Sequence, residues 1–254
     1  HPSSGYSMPC RRASAAANGP RTRLIRLRAH RIVNGVPNGV GPTIAAFDAL
    51  MSDAIGPPSA AAGPSGGERT PPIRLSPMLT GLPTADIRVV RHVEFARHQD
   101  GVLALDVYRR NDDVVWPVVL QIYGGGWRSG AAGDNEPLAR ALADAGYVVV
   151  AIDYRHAPRW TWPAQLEDVR AALEWVRAHA GEHGGDSGRV ALLGRSSGAQ
   201  LALIGGITEA TLPVRAIVAF YSPVNLIEGY RNPGFPDTLG IRELETSFIG
   251  GTPE

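Results

Sequence analysis

Lysine is absent from this chain: all 25 basic residues are arginine. Glycine, alanine and proline are abundant alongside, so the bias reads as GC-rich coding and no partner is inferred from it. Against 24 acids the net charge is +1, which excludes a global positive field of the kind that gathers nucleic acid. The imbalance is local, with seven Arg and no acid within residues 1–31. A single cysteine, Cys10, excludes an internal disulfide and a cysteine-cluster metal site. No apolar run reaches the roughly 18 residues of a membrane span, and the start lacks the apolar centre of a secretory signal. A soluble chain without a membrane span is expected, with the cytoplasm as its default compartment. Histidine is confined to residues 1–183, which withholds the commonest general base from everything downstream.

What is present is enough for one sizeable core: 254 residues, 44% of them apolar, in the ordinary range for a globular domain. Residues 1–85 are rich in Pro, Gly, Ala, Ser and Arg, and a largely disordered tail with at most one short helix is expected there. Its arginine-rich, acid-poor start has the composition of a targeting peptide and equally that of misassigned upstream sequence. The chain begins with His1 and not Met, as a processed or incomplete start would.

A folded domain is expected over 86–254. Val89, Val90, Val93 and Phe95, then Asp100-Gly101, then Val102, Leu103, Leu105 and Val107 predict an antiparallel hairpin. Pro117–Ile122, Tyr147–Ile152, Arg189–Leu193 and Val214–Phe220 are near-continuous apolar runs, as in strands buried on both faces. Between them lie predicted helices. One runs from Glu136 to Ala145, with Pro137 in its first turn and Gly146 as its stop. Another follows Pro163, with Leu166, Val169, Leu173 and Val176 on one stripe, and a third covers 199–207. Buried strands alternating with helices define an α/β protein, a mostly parallel sheet with helices on both faces.

Two glycine motifs carry chemistry. Gly194-Arg195-Ser196-Ser197-Gly198 sits where an apolar strand ends and a helix begins, the context that forces a serine into an exposed, strained elbow. Glycine at 194 and 198 removes side chains that would clash where strand meets helix. Ser196 is then the nucleophile, and the Ser197 N–H, at the helix start, points to where an oxyanion would form. Tyr123-Gly124-Gly125-Gly126-Trp127 follows a strand directly, and its consecutive glycines free backbone N–H groups to converge on an anion. Gly125 and Gly126 are therefore the remaining candidate oxyanion donors. No Gly-Lys-Ser/Thr or Gly-x-Gly-x-x-Gly pattern is present, which argues against a phosphate or dinucleotide loop.

With these motifs the chain resembles the alpha/beta-hydrolase superfamily, specifically bacterial carboxylesterases and lipase-like enzymes with a His-Gly-Gly-Gly-Trp oxyanion loop. The resemblance extends to Asp153-Tyr154-Arg155-His156-Ala157-Pro158 and to Trp162-Pro163-Ala164-Gln165-Leu166-Glu167-Asp168-Val169. It implies acyl transfer from a small-molecule ester to Ser196 and then to water, with no cofactor and no metal. A catalytically impaired fragment or pseudoenzyme, and an amidase or formamidase on the same elbow, are the alternative readings. The family's loop histidine is Tyr123 here, and Arg195 and Ser197 stand where the family often has Glu and Ala.

In this fold the triad runs Ser, then Asp or Glu, then His. After Ser196 the sequence offers one convincing strand, Val214–Phe220, the acids Glu209, Glu228, Asp237, Glu243, Glu245 and Glu254, and no histidine. The resemblance implies the last strands of the sheet and both triad partners beyond residue 254. Among upstream histidines, His179 and His183 precede the strand whose far end carries Ser196. Five strand residues at about 3.3 Å each would put them on the wrong edge. His156 follows a neighbouring strand and is expected in a packing or surface role more than as a base. Asp153 and Arg155 are expected to pair and brace their loop, and Trp127, Trp160 and Trp162 to line a pocket or pack.

Overall fold

A hairpin opens the described fold. β1 (Ile87–His98) and β2 (Gly101–Arg110) pair antiparallel, as their alternating sequences require. The turn is Gln99-Asp100, one residue earlier than predicted, and Gly101 already pairs with His98. The chain is known here as a computed structural model that describes residues 85–208, 214–234, 236–237 and 239–253. The chain divides into His1–Gly35 and Val36–Glu254, and all described residues belong to the second unit. The tail expected over 1–85 lies outside the described residues except for Ala85, whose N–H donates to Asp144 Oδ1 at 2.7 Å.

Four further strands complete the sheet: β3 (Trp116–Ile122), β4 (Val148–Ile152), β5 (Gly185–Arg195) and β6 (Val214–Phe220). The order is β1-β2-β4-β3-β5-β6. β2 meets β4 antiparallel, whereas β4, β3, β5 and β6 run parallel, so the sheet is mixed rather than parallel throughout. The helices are α1 (Glu136–Asp144), α2 (Ala164–His179), α3 (Ser197–Thr208), α4 (Leu226–Arg231) and α5 (Ile241–Ile249).

The near-continuous apolar runs follow from burial on both faces. Val118, Leu120 and Ile122 of β3 join Val169, Leu173, Val176 and Leu201 of α2 and α3 in one core. Val119, Val149 and Leu193 face Leu138 and Leu142 of α1 in the other. The side-chain period of two feeds alternate residues to opposite layers. The stripe predicted for α2 is buried in full, and α1 carries Pro in its first turn with Gly146 at φ +98° just beyond its end. β6 departs from expectation. It pairs only with β5 among the described strands and its residues are half-buried or exposed, not buried.

α4 and α5 were not anticipated. α5 carries apolar residues at 241, 244, 248 and 249, a helical spacing, and is bracketed by Gly240 and Gly250, both at positive φ. No helix among the described residues is long and apolar enough to cross a membrane.

Candidate active site

β5 delivers the elbow. It ends at Arg195, α3 begins at Ser197, and Ser196 between them has φ +51°. A non-glycine residue held in that region stores on the order of 1–3 kcal/mol, and such strain persists only where surrounding structure enforces it. Here the enforcement is visible. The Ser196 N–H donates to Phe220 O at 2.9 Å, and its carbonyl accepts from Ala199 N–H at 2.9 Å and Gln200 N–H at 3.2 Å. A Cβ at Gly194 would stand 2.2 Å from Gly198 O, and one at Gly198 would stand 2.2 Å from Tyr123 O. The first contact is the strand-to-helix clash expected from sequence. The second shows that the elbow is also pressed onto the end of β3.

The glycine loop leaves β3 directly over this elbow. A Cβ at Gly124 would lie 2.6 Å from Arg195 O and 3.0 Å from Ser196 Cβ, so glycine is what lets loop and elbow touch. Gly126 and Trp127 have φ +60° and +58°, and the Gly125 carbonyl accepts from the N–H groups of Arg128 (3.1 Å) and Ser129 (3.2 Å), closing a tight turn. The Gly125 N–H donates to Ser197 Oγ at 3.1 Å. Tyr154 OH donates to Tyr123 O at 3.3 Å and lies 3.5 Å from Ser197 Oγ. Among the described residues, the N–H groups of Gly126 and Ser197 donate to no protein acceptor.

Aromatic residues anchor the loop. Trp127 is buried, stacks on Phe248 of α5 with centroids 4.3 Å apart, and donates from Nε1 to Gln200 Oε1 at 3.1 Å. Trp162 meets Phe248 edge-on, so Trp127 and Trp162 serve packing. Trp160 instead lines a cavity of about 300 Å³, together with Leu103, Tyr123, Asp153 and His156. Leu244 of α5 closes over Gly126, where a Cβ would come within 2.7 Å of its Cδ2.

Tyr123 stands where the loop histidine was expected. Its ring stacks on Tyr154 at 4.4 Å and its hydroxyl lies 2.8 Å from His156 Nε2. Burial pushes the Tyr123 phenol well above its ordinary pKa. Burial, opposed by Asp153 and Asp134, pulls His156 below its own. A neutral imidazole then accepts the phenol's hydrogen bond. His156 is thus engaged in bracing Tyr123, as the packing expectation had it. Tyr123→Phe is expected to cost about 1 kcal/mol by removing one hydrogen bond to a half-buried ring nitrogen, measurable by urea unfolding.

The expected Asp153–Arg155 pair is not formed. Asp153 Oδ1 accepts from the Ala132 N–H at 2.7 Å, and burial raises its pKa. Arg155 turns instead to Asp168 and Glu167 of α2, at 2.8 and 2.9 Å. The reason is reach: the long guanidinium spans to a fully buried carboxylate that accepts from the Arg155 backbone N–H as well. His98, for which the sequence offered no role, donates from Nε2 to the same Asp168 at 3.1 Å. His179 and His183 flank Trp175 before β5 begins, on the edge away from Ser196. Among the described residues no imidazole or carboxylate hydrogen-bonds to Ser196 Oγ, and no group of three or more His, Cys, Asp or Glu side chains could hold a metal ion.

The BD-FAE family model matches residues 105–254. The chain belongs to the BD-FAE family. The matched region holds the glycine loop, the elbow and α5, and begins within β2, so that β1 and the first residues of β2 lie outside it. Relatives of the chain carry esterase names: it is 42% identical over 132 residues to the probable carboxylic ester hydrolase LipM of Mycobacterium tuberculosis, covering 46% of this chain and 31% of that protein. To esterase LipC of the same organism it is 34% identical over 172 residues, 61% of this chain and 40% of that one. The chain spans about a third of the length of the curated relatives it matches first. A hyperthermophilic esterase from the archaeon Pyrobaculum calidifontis has a similar structure, with TM-score 0.56, 26% identity, and 69% of this chain and 60% of that chain covered. A thermostable carboxylesterase cloned from a metagenomic library gives TM-score 0.56 at 27% identity, covering 68% and 63%. The fold is the alpha/beta-hydrolase fold.

Sequence reasoning missed the Ser197 side chain, Tyr154 and Gln200 as parts of this site, and the cover that α5 provides. The signal for the first was available: a hydroxyl at 197, where the resemblance leads one to expect alanine.

Proposed function

We propose that this chain cleaves carboxylic esters of small molecules. Ser196 Oγ attacks the acyl carbonyl carbon, the ester C–O bond breaks to release the alcohol, and water hydrolyses the acyl–serine ester. The oxyanion donors are drawn from the amides of Gly125, Gly126 and Ser197. The observation that carries this reading is the strained Ser196 at φ +51° with the glycine loop laid directly on it. Strain of that kind is maintained where the structure around a sharp strand-to-helix turn holds a nucleophile's side chain outward. The esterase names of the relatives favour an ester over an amide substrate.

A fluorophosphonate, whose phosphorus is attacked by an activated serine hydroxyl with loss of fluoride to leave a phosphonate ester, tests the assignment. Trypsin cuts after Arg195 and Arg215, so Ser196 begins its own peptide. Mass spectrometry is expected to find the adduct on Ser196 and nowhere else. Labelling at another residue, or none on the folded chain, would overturn the reading.

A further inference from the structure

Ser197 presents two groups to the site, and they do different things. Its N–H, at the first residue of α3, has no protein acceptor among the described residues. Its side chain is buried to 1% exposure, and its Oγ accepts the Gly125 N–H at 3.1 Å. We infer that the Ser197 hydroxyl is a positioning residue for the oxyanion loop, holding the Gly125 amide as a brace, so that the hole presents two donors, the N–H groups of Gly126 and Ser197. This rests on Ser196 being the nucleophile.

The bonds around the loop form a closed path. Tyr154 OH donates to Tyr123 O, which leaves the Tyr154 oxygen free to accept from the Ser197 hydroxyl 3.5 Å away. Ser197 Oγ in turn accepts from Gly125 N–H. The peptide that follows Tyr123 and the peptide that precedes Gly125 are therefore both tied to side chains beneath the loop. The peptide after Gly125 is tied by its carbonyl to Arg128 and Ser129. Freeing the Gly125 N–H for a substrate would require turning one of these units. Gly124, the pivot, is pressed against Arg195 O and Ser196 Cβ, and the turn would strand a buried hydroxyl oxygen with one long contact. An alanine at 197 has no atom to offer, so it would leave the loop held by Tyr154 and its own turn.

Two measurements on Ser197→Ala separate this from the nucleophile assignment. Amide hydrogen exchange at Gly125, read by NMR, is expected to quicken on the order of 10-fold on loss of one hydrogen bond, while the Gln200 and Leu201 amides of α3 keep their rates. A general loosening of the elbow would move both. The fluorophosphonate labelling of Ser196 is expected to slow about 10-fold in its maximal rate with unchanged half-saturation, because a displaced loop costs the transition state and not ground-state binding. Unchanged exchange at Gly125, or faster labelling in Ser197→Ala through a freed third donor, would overturn the inference. If Ser196 is not labelled in the unaltered chain, the nucleophile assignment fails and the exchange rates still decide on the brace.

Discussion

Ser196→Ala is expected to take hydrolysis of a short-chain nitrophenyl ester down to the solvent background. In a serine hydrolase with its full machinery, loss of the nucleophile costs about a million-fold in kcat, and what survives comes from the oxyanion hole and binding. The substitution removes one oxygen at a position whose backbone is fixed by Phe220, Ala199 and Gln200, so elbow and loop stay in place and only the acylation step is lost. Release of nitrophenol above that background is expected from the unaltered chain and is expected to be absent in the variant. Equal hydrolysis by both proteins would mean that the reaction does not pass through Ser196. Far-ultraviolet circular dichroism on the variant distinguishes lost chemistry from lost fold.

The elbow and the sheet were legible because each rests on short-range signals. A strand buried on both faces is apolar at nearly every position, and four near-continuous apolar runs separated by helical spacing leave few topologies. A Gly-x-Ser-x-Gly at a strand-to-helix junction states much of its own geometry, since the clash that demands glycine at 194 is made within five residues, whereas the one at 198 is with Tyr123 O at the end of β3. The match of expected and observed helices α1 and α2 has the same origin in Pro137, Gly146 and the 166–176 stripe.

What the sequence did not disclose depends on contacts between distant segments. The partner of Arg155 lies thirteen residues away on the next helix, and nothing in a loop sequence distinguishes Asp168 from the nearer Asp153. The Ser197 hydroxyl looks like a small helix-start residue until the Gly125 amide, 72 positions earlier, is laid against it. α5 has a readable apolar spacing, yet its value to the site comes from Phe248 on Trp127 and Leu244 on Gly126. The burial of β6 was overestimated because apolar composition reports what a strand could bury, whereas neighbours decide what it does bury.

Asp168→Ala is expected to cost about 3–5 kcal/mol, the usual loss when one member of a buried charge pair is removed. Asp168 is fully buried and accepts from the Arg155 backbone N–H at 2.8 Å, from its guanidinium at 2.8 Å and from His98 Nε2 at 3.1 Å. After truncation the Arg155 guanidinium keeps the Ala164 carbonyl at 2.9 Å and the exposed Glu167, while a backbone amide and an imidazole N–H lose their acceptor. Glu167→Ala, which removes a solvent-screened partner, is expected to cost no more than about 1 kcal/mol. Urea unfolding compares the two, and equal losses would show that the pairing with Asp168 is not what holds the segment. The consequence reaches the site, because Arg155 lies between Tyr154 and His156, which hold Tyr123 from its carbonyl and its hydroxyl. Asp168→Ala is therefore expected to quicken exchange at Gly125 as well, coupling a buried carboxylate on α2 to the loop over Ser196.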